Sequence, residues 1–423
     1  MINRKIMLLT CIIVLVTLAL FGCGGKQAQQ QAGDGSQEEM GTVYIGFTGP
    51  LSGGAAKYGQ NCVDGLNLAV EEINKSGIEV GGQKYKIELV TLDDRYRPNE
   101  SATNARRLVQ QNKTPVIFCP HSGGISALAQ FNEQEGFIIA GYTSSPAPEK
   151  LGNKLLIRIP TPFTWYLGEG GFIDQAMERF GKKAVCVPGV HEYAKAWTDI
   201  FIKKWEEAGG EILGNYPVDY TTEADFYTPV SKALASNPDV MFIGGPSEPT
   251  ALVVKQAREL GFKGGFIAMD QAKENEIEHF VPMEYLEGFI GTAAVEDYAT
   301  NEDYAKQVGK TNAGAVAFME KFKKAYGDKE ATSESGYHYM TLHVIAKAME
   351  LAGTIEDAKA IYAKLPAAIE ALPDEHMARL IEGIADTGGF INVTLGCHVK
   401  NGKRETFTIL APKEYRAKKL PAQ

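Results

Sequence analysis

The sequence predicts an α/β protein made of two doubly wound parallel-sheet lobes. From Thr42 onward, short β-branched runs alternate with longer stretches of helical periodicity, and this alternation runs through residues 42–141 and starts again at 183. Strands that alternate with helices pair in parallel beneath the helices that connect them. The composition, 44% hydrophobic and 22% charged, is that of an ordinary globular chain, and its length suits two domains.

In the first lobe, 42–47 reads as a strand, and 59–76 as a helix with Val63, Leu66, Ala69, Val70 and Ile73 at helical spacing. Strand 85–92 follows, then helix 98–111, where Pro98 suits a first turn, strand 115–119, helix 122–135 and strand 137–141. The second lobe repeats the pattern with strand 183–187, helix 192–208, strand 211–218, helix 225–235, strand 240–243, helix 248–260 and strands 264–269 and 288–295. Amphipathic helices are expected at 313–325 and 336–352, and a hairpin at 392–410 that turns on Asn401-Gly402. Open sheets of this kind bind ligands beyond the carboxyl ends of their strands. That points to the loops 48–58, 120–124 and 142–148 in one lobe and 188–193, 244–248 and 270–273 in the other.

The N-terminus reads as an address. Asn3, Arg4 and Lys5 precede an uncharged apolar run over 6–20, shorter than the roughly 20 residues a spanning helix needs, and Phe21, Gly22 and Cys23 follow it. This order is that of a lipoprotein signal over residues 1–22, with Cys23 as the lipid acceptor; Phe21 departs from the usual small residue, and an uncleaved N-terminal anchor is the alternative. Either form leaves the body outside the cytoplasmic membrane. Residues 23–41, rich in Gly, Gln and charge, read as a flexible tether.

A formal charge of −9, becoming −11 once Arg4 and Lys5 leave, argues against nucleic acid as a partner. Cys62, Cys119, Cys186 and Cys397 lie far apart without a C-x-x-C pair. They read as buried thiols, with pairing left open. No catalytic motif stands out. His191-Glu192 begins like a zinc-protease helix, but Lys195 stands where the second histidine belongs, and Ser126 lacks the second glycine of a nucleophile elbow. Asp93 and Asp94 are adjacent and point to opposite sides of a strand. The chain is expected to be no enzyme and to carry neither metal nor cofactor.

Val43-Tyr44-Ile45-Gly46-Phe47-Thr48-Gly49-Pro50-Leu51-Ser52-Gly53, then Tyr58-Gly59, then 65–74, resembles the opening of the branched-chain amino acid (leucine/isoleucine/valine) type of periplasmic binding protein. Asp93-Asp94 with Pro98, Glu135-Gly136 and Tyr142-Thr143-Ser144-Ser145-Pro146 continue the likeness in order. The resemblance implies a type I periplasmic binding protein fold, in which lobes 42–160 with 294–353 and 161–293 with 354–423 are joined by a multi-strand hinge. It implies an ABC-importer receptor, monomeric, that closes on an amino acid or similar small carboxylate and passes it to a permease. By the same resemblance Ser122, Ser144 and Ser145 hold the ligand carboxylate, Asp270 its α-ammonium, and Tyr58 and Tyr193 line the cleft. Hydroxyls and free amides at a helix start are suited to an anion. The alternatives are that Ser122 and Asp270 only cap helices, Ser144-Ser145-Pro146 only turns, and the tyrosines only pack. Two positions that form a disulfide in leucine-type members are Tyr96 and His121 here, and Pro246-Ser247-Glu248 replaces an aromatic pair. A ligand other than plain leucine, isoleucine or valine is therefore expected. A ligand-sensing or envelope-interaction lipoprotein on the same fold is the alternative function.

Overall fold

The computed structural model describes residues 40–422. The leader, Cys23 and the tether as far as residue 39 lie outside the described residues. The first sheet contains β1 (Gly41–Gly49), β2 (Ile78–Val80), β3 (Gln83–Asp93), β4 (Val116–Cys119), β5 (Ile138–Gly141) and β6 (Leu156–Arg158), in the order β2-β3-β1-β4-β5-β6. All neighbours are parallel except β2, which turns back on β3. Val43, Ile45 and Phe47 alternate along β1 into one apolar cluster with helices Ala56–Ile73 and Ser333–Ala352. Both sides of β4 and β5 are buried, as parallel strands between two helix layers require. Gly65 lets the two helices touch: a Cβ there would lie 2.1 Å from Ser335 O.

The second sheet contains β7 (Lys183–Pro188), β8 (Glu211–Asn215), β9 (Val240–Gly244), β10 (Gly265–Ala268), β11 (Phe289–Thr292), β12 (Ile381–Ile384), β13 (Phe390–Lys400) and β14 (Lys403–Leu410). Its order is β12-β13-β11-β10-β9-β7-β8, with β14 on β13. β7 to β11 are parallel, and β12, β13 and β14 add an antiparallel edge. The expected hairpin is present, with Asn401 at φ 54° and Gly402 at φ 67°.

Three passages of chain are stitched together between the sheets. Arg158 bridges Gly389, Asn392 Nδ2 donates to Ile159 O at 3.0 Å, Thr161 and Thr394 share a hydroxyl bond of 2.9 Å, and Ala293 N donates to Leu395 O at 3.2 Å. This is the multi-strand hinge of a two-lobed molecule.

Several elements differ from the sequence reading. The helix expected at 122–135 is two pieces, Ser122–Leu128 and Asn132–Glu135, and the break precedes buried Asn132, whose amide donates to Phe137 O and Leu155 O. The strand expected at 211–218 stops at Asn215, because Pro217 has no N–H to give; Val218 returns only as a single bridge to Gly189. The strand expected at 288–295 ends at Thr292, and Val295 opens a short helix whose Asp297 carboxylate accepts from Ala294 N. Strands β2, β6 and β12, of three or four residues each, carry too few residues to show an alternation. The four cysteines of the body are free and buried. Among the described residues no helix is long and apolar enough to cross a membrane.

Candidate functional site

The carboxyl ends of β1, β4 and β5 deliver Tyr58, Ser122 and the 142–145 loop to one wall of a cleft. Tyr58 donates its hydroxyl to Pro120 O at 2.6 Å and lies 6.3 Å from the Tyr142 ring. Ser122 Oγ is 2.7 Å from Thr143 Oγ1, which also accepts from Ser145 N at 3.1 Å. Ser122 does not cap its helix. His121 does so, its Nδ1 accepting from Gly124 N at 3.0 Å, which leaves the serine hydroxyl directed at Thr143. Ser145 Oγ accepts from Ala147 N at 3.3 Å and so takes part in the turn.

The opposite wall comes from the ends of β7 and β10. Tyr193 donates to both carboxylate oxygens of Asp270, at 2.8 and 2.9 Å, and its own oxygen accepts from Trp197 Nε1 at 3.3 Å. Asp270 caps no helix, since the short helix beginning at Glu274 takes no side-chain cap. Its pKa is raised because burial disfavours the charge, against which Ser144, Tyr193 and Trp197 act in the other direction. Burial likewise raises Tyr193, helped by the neighbouring Asp270 charge. Ser144 O of the first wall accepts from Phe163 N at 2.8 Å, and the Phe163 ring lies 5.9 Å from that of Tyr193 in the second. The structure thus brings five of the six sequence-chosen residues into two facing groups, and turns the sixth, Ser145, partly into its own loop.

A second contact spans the cleft. Lys273 Nζ lies 2.9 Å from both oxygens of Glu334, in the first turn of helix Ser333–Ala352. That helix starts three residues before the sequence-based boundary, because Thr332 and Ser335 cap each other reciprocally. Burial opposes the Glu334 charge, but Lys273 outweighs it and holds the pKa low.

Behind these groups lies a cluster the sequence did not reveal. Arg379, only 3% exposed, has its guanidinium 3.4 Å from the Tyr298 ring centre and 4.6 Å from that of Tyr337. Tyr337 is 5.9 Å from Tyr142, and Tyr166 lies within electrostatic reach of both Asp270 and Arg379. Of these, Tyr142 stood in the family-like stretch and Tyr337 in the expected helix 336–352. Arg379 sits in a segment with neither motif nor periodicity, brought to the cleft by the third passage between the lobes.

Two groups have spacing that could hold a metal: Asp94, Cys119 and His121, and Glu72, His343 and His376. In the first, both His121 nitrogens are engaged, Nδ1 with Gly124 N and Nε2 2.9 Å from Asp94, and burial pushes the Cys119 thiol pKa well up. The Tyr96 ring stacks on His121 with ring centres 4.6 Å apart. Asp93 and Asp94 hold the turn that follows, accepting from Arg95 N and Tyr96 N at 2.9 Å each. In the second group the Glu72 oxygens are taken by Lys321, at 2.8 Å, and by Tyr339, at 2.5 Å. The first group reads as a satisfied polar network, and in the second His343 Nε2 is buried without a hydrogen-bond partner. Glu248, the extra carboxylate expected near the cleft, is exposed on the first turn of helix Ser247–Glu259.

Two facing α/β lobes, a hinge of several passages and a polar cleft between them define a solute-binding protein. The periplasmic binding protein family model matches residues 42–389, and the chain belongs to that family. It is 26% identical over 331 residues to an amino acid binding protein of Pseudomonas aeruginosa, covering 77% of this chain and 83% of that one. It is also 26% identical over 323 residues to a leucine-, isoleucine-, valine-, threonine- and alanine-binding protein of the same organism, covering 75% and 80%. Among solved structures it is similar to the leucine binding protein LivK of Thermotoga maritima, with TM-score 0.68, 25% identity, and 88% and 99% of the two chains covered. The fold is shared with LivJ of Streptococcus pneumoniae, solved with isoleucine, at TM-score 0.69 and 21% identity over 88% of this chain and all of that one.

Proposed function

We propose that this protein captures an amino acid or a closely related small carboxylate between its lobes at the outer face of the cytoplasmic membrane, held there by lipid on Cys23, and hands it to an ABC permease. The approach of the two walls, with Ser144 O accepting from Phe163 N beside Tyr193 and Lys273 paired with Glu334, supports this reading, because a ligand seated there touches both walls at once. The Asp270 carboxylate, oriented by Tyr193, receives the α-ammonium. Ser122, Ser144 and the Thr143 hydroxyl face the ligand carboxylate, and Tyr58 and Tyr142 form an aromatic floor. A ligand that bonds both walls stabilises the closed arrangement by its differential affinity for it. The tether keeps the receptor at high local concentration beside its permease.

The binding role is tested by calorimetry of wild type and Asp270→Asn against a panel of amino acids. Loss of a charged partner to an ammonium corresponds to about 1.5–3 kcal/mol, so affinity should fall roughly 10- to 100-fold. Unchanged affinity for the best ligand would remove Asp270 from the site. The anchor is tested by fatty-acid labelling of cells that express wild type or Cys23→Ser; equal labelling contradicts lipidation at Cys23.

A further inference from the structure

We infer that the ligand carries a second acidic group, a side-chain carboxylate or its isostere, and that Arg379 receives it. This rests on the reading of the cleft as an amino acid site and narrows the ligand class within it.

Five charged groups meet around the cleft: Asp270, Lys273, Glu276, Glu334 and Arg379. Lys273 pairs with Glu334 at 2.9 Å and lies 3.7 Å from Glu276. Asp270, half-buried, and Arg379, buried, are left, and neither has an opposite charge within 4.0 Å among the described residues. Among the described residues no carboxylate oxygen comes within 4.0 Å of the Arg379 guanidinium. What holds it is neutral: Nη1 donates to Ser333 Oγ at 3.2 Å, Nη2 makes a long 3.5 Å contact to the Tyr337 hydroxyl, and the Tyr298 and Tyr337 rings flank the plane. Nε is buried with no partner at all.

A buried cation with no counter-charge is costly, and rings alone compensate only part of the lost hydration. The same rings fix the guanidinium plane. They leave its Nε side, with the weakly used Nη2, as an edge of two parallel donors, the geometry that recognises a carboxylate bidentately. The position suits the ligand as well. The Tyr337 ring that flanks the guanidinium at 4.6 Å lies 5.9 Å from the ring of Tyr142, which precedes the Thr143-Ser144-Ser145 hydroxyls. The first-lobe hydroxyls form a neutral seat for the α-carboxylate, and Asp270 takes the ammonium. With the ammonium on Asp270 and the α-carboxylate on the neutral hydroxyls, Arg379 has no opposite charge beside it, and a second acidic group on the ligand would supply one.

The test is calorimetry of the full mature protein, wild type, Arg379→Gln and Arg379→Lys, with L-glutamate, L-aspartate, L-glutamine, L-asparagine and L-leucine, each variant first checked for a cooperative melt. Wild type should bind one of the two acids at least about tenfold more tightly than its amide. Arg379→Gln should weaken that acid by roughly 10- to 100-fold while moving the amide less than about threefold, and Arg379→Lys should recover only part of the loss. Tighter binding of leucine or of an amide by wild type overturns this inference and leaves the amino acid reading standing. Equal weakening of acid and amide by Arg379→Gln overturns it too, by making Arg379 a packing residue. Binding of none of the five by wild type overturns both readings together. A variant that fails to melt cooperatively is replaced by Tyr337→Phe, which keeps the packing and removes the hydroxyl beside Nη2; the acid-over-amide preference of wild type then decides.

Discussion

Arg158 and Arg379 are both shut away from solvent, at 0% and 3% exposure, and they are held in opposite ways. Arg158 lies in the hinge against Glu149, with Tyr415 donating to the same carboxylate at 2.6 Å and Phe390 O accepting from Nη2 at 3.3 Å. Burial alone would raise the Glu149 pKa, but the Arg158 charge prevails and holds it low. One Arg158 nitrogen, Nη1, lacks a partner, yet the charge itself is matched. Arg379 faces rings and hydroxyls and has no carboxylate. The difference separates a cation that serves the fold from one whose counter-charge comes from outside the chain. Burial does not distinguish them; pairing does.

Substitution should expose this difference in ligand-free stability. Arg158→Met leaves Glu149 as an unmatched buried charge and should cost about 3–5 kcal/mol in urea unfolding, whereas Arg379→Met removes an unmatched charge and should cost less than about 1 kcal/mol. Equal losses would erase the contrast. The next largest effect is expected from His338, which is buried against Phe118 and Tyr142 with its Nε2 unpartnered. Burial lowers its pKa to about 4. The unfolded chain therefore binds the proton first on acidification, and stability should fall, by up to roughly 3 kcal/mol, between pH of about 6.5 and about 4. His338→Gln should flatten that part of the stability profile. If the acid slope is unchanged, other groups cause it.

Asp270 titrates in the opposite sense. Its folded pKa is raised, so the ligand-free fold takes up a proton before the unfolded chain does, and acidification relieves a buried charge. Affinity for an ammonium ligand should decline as pH falls through that raised pKa, and Asp270→Asn should bind weakly with no such decline. A wild-type affinity that is flat on acidification would contradict the ammonium role. The smallest effect concerns the Lys273–Glu334 bridge. Removing both partners together, as Lys273→Met with Glu334→Gln, orphans no charge and should change stability by less than about 1 kcal/mol, with affinity falling about three- to tenfold. A larger stability loss would make the bridge a fold element like Arg158–Glu149.

The parallel cores were legible because their strands carry continuous apolar runs, such as Val116-Ile117-Phe118, between clear helical patterns. Ser122, Ser144, Tyr193 and Asp270 were chosen on the family resemblance, and their places in loops that follow such strands agree with that choice. The antiparallel edge beyond the hairpin was not, since β12 owes its place to pairing with β13 over two registered residues. Arg379 was invisible for a similar reason. It is 109 positions beyond Asp270 in sequence, and only the third passage between the lobes brings it to the cleft. His121, in one of the loops expected to face the ligand, is a helix cap bound to Asp94 with the Tyr96 ring stacked on it.

The most direct test is a crystal structure of the protein grown with whichever acidic amino acid binds it more tightly. The α-ammonium is predicted within hydrogen-bond distance, about 3 Å, of Asp270, one carboxylate against Ser122, Thr143 and Ser144, and the second paired side-on with Nε and Nη2 of Arg379. A ligand whose side chain points away from Arg379, or whose α-carboxylate alone occupies the guanidinium, would contradict the assignment.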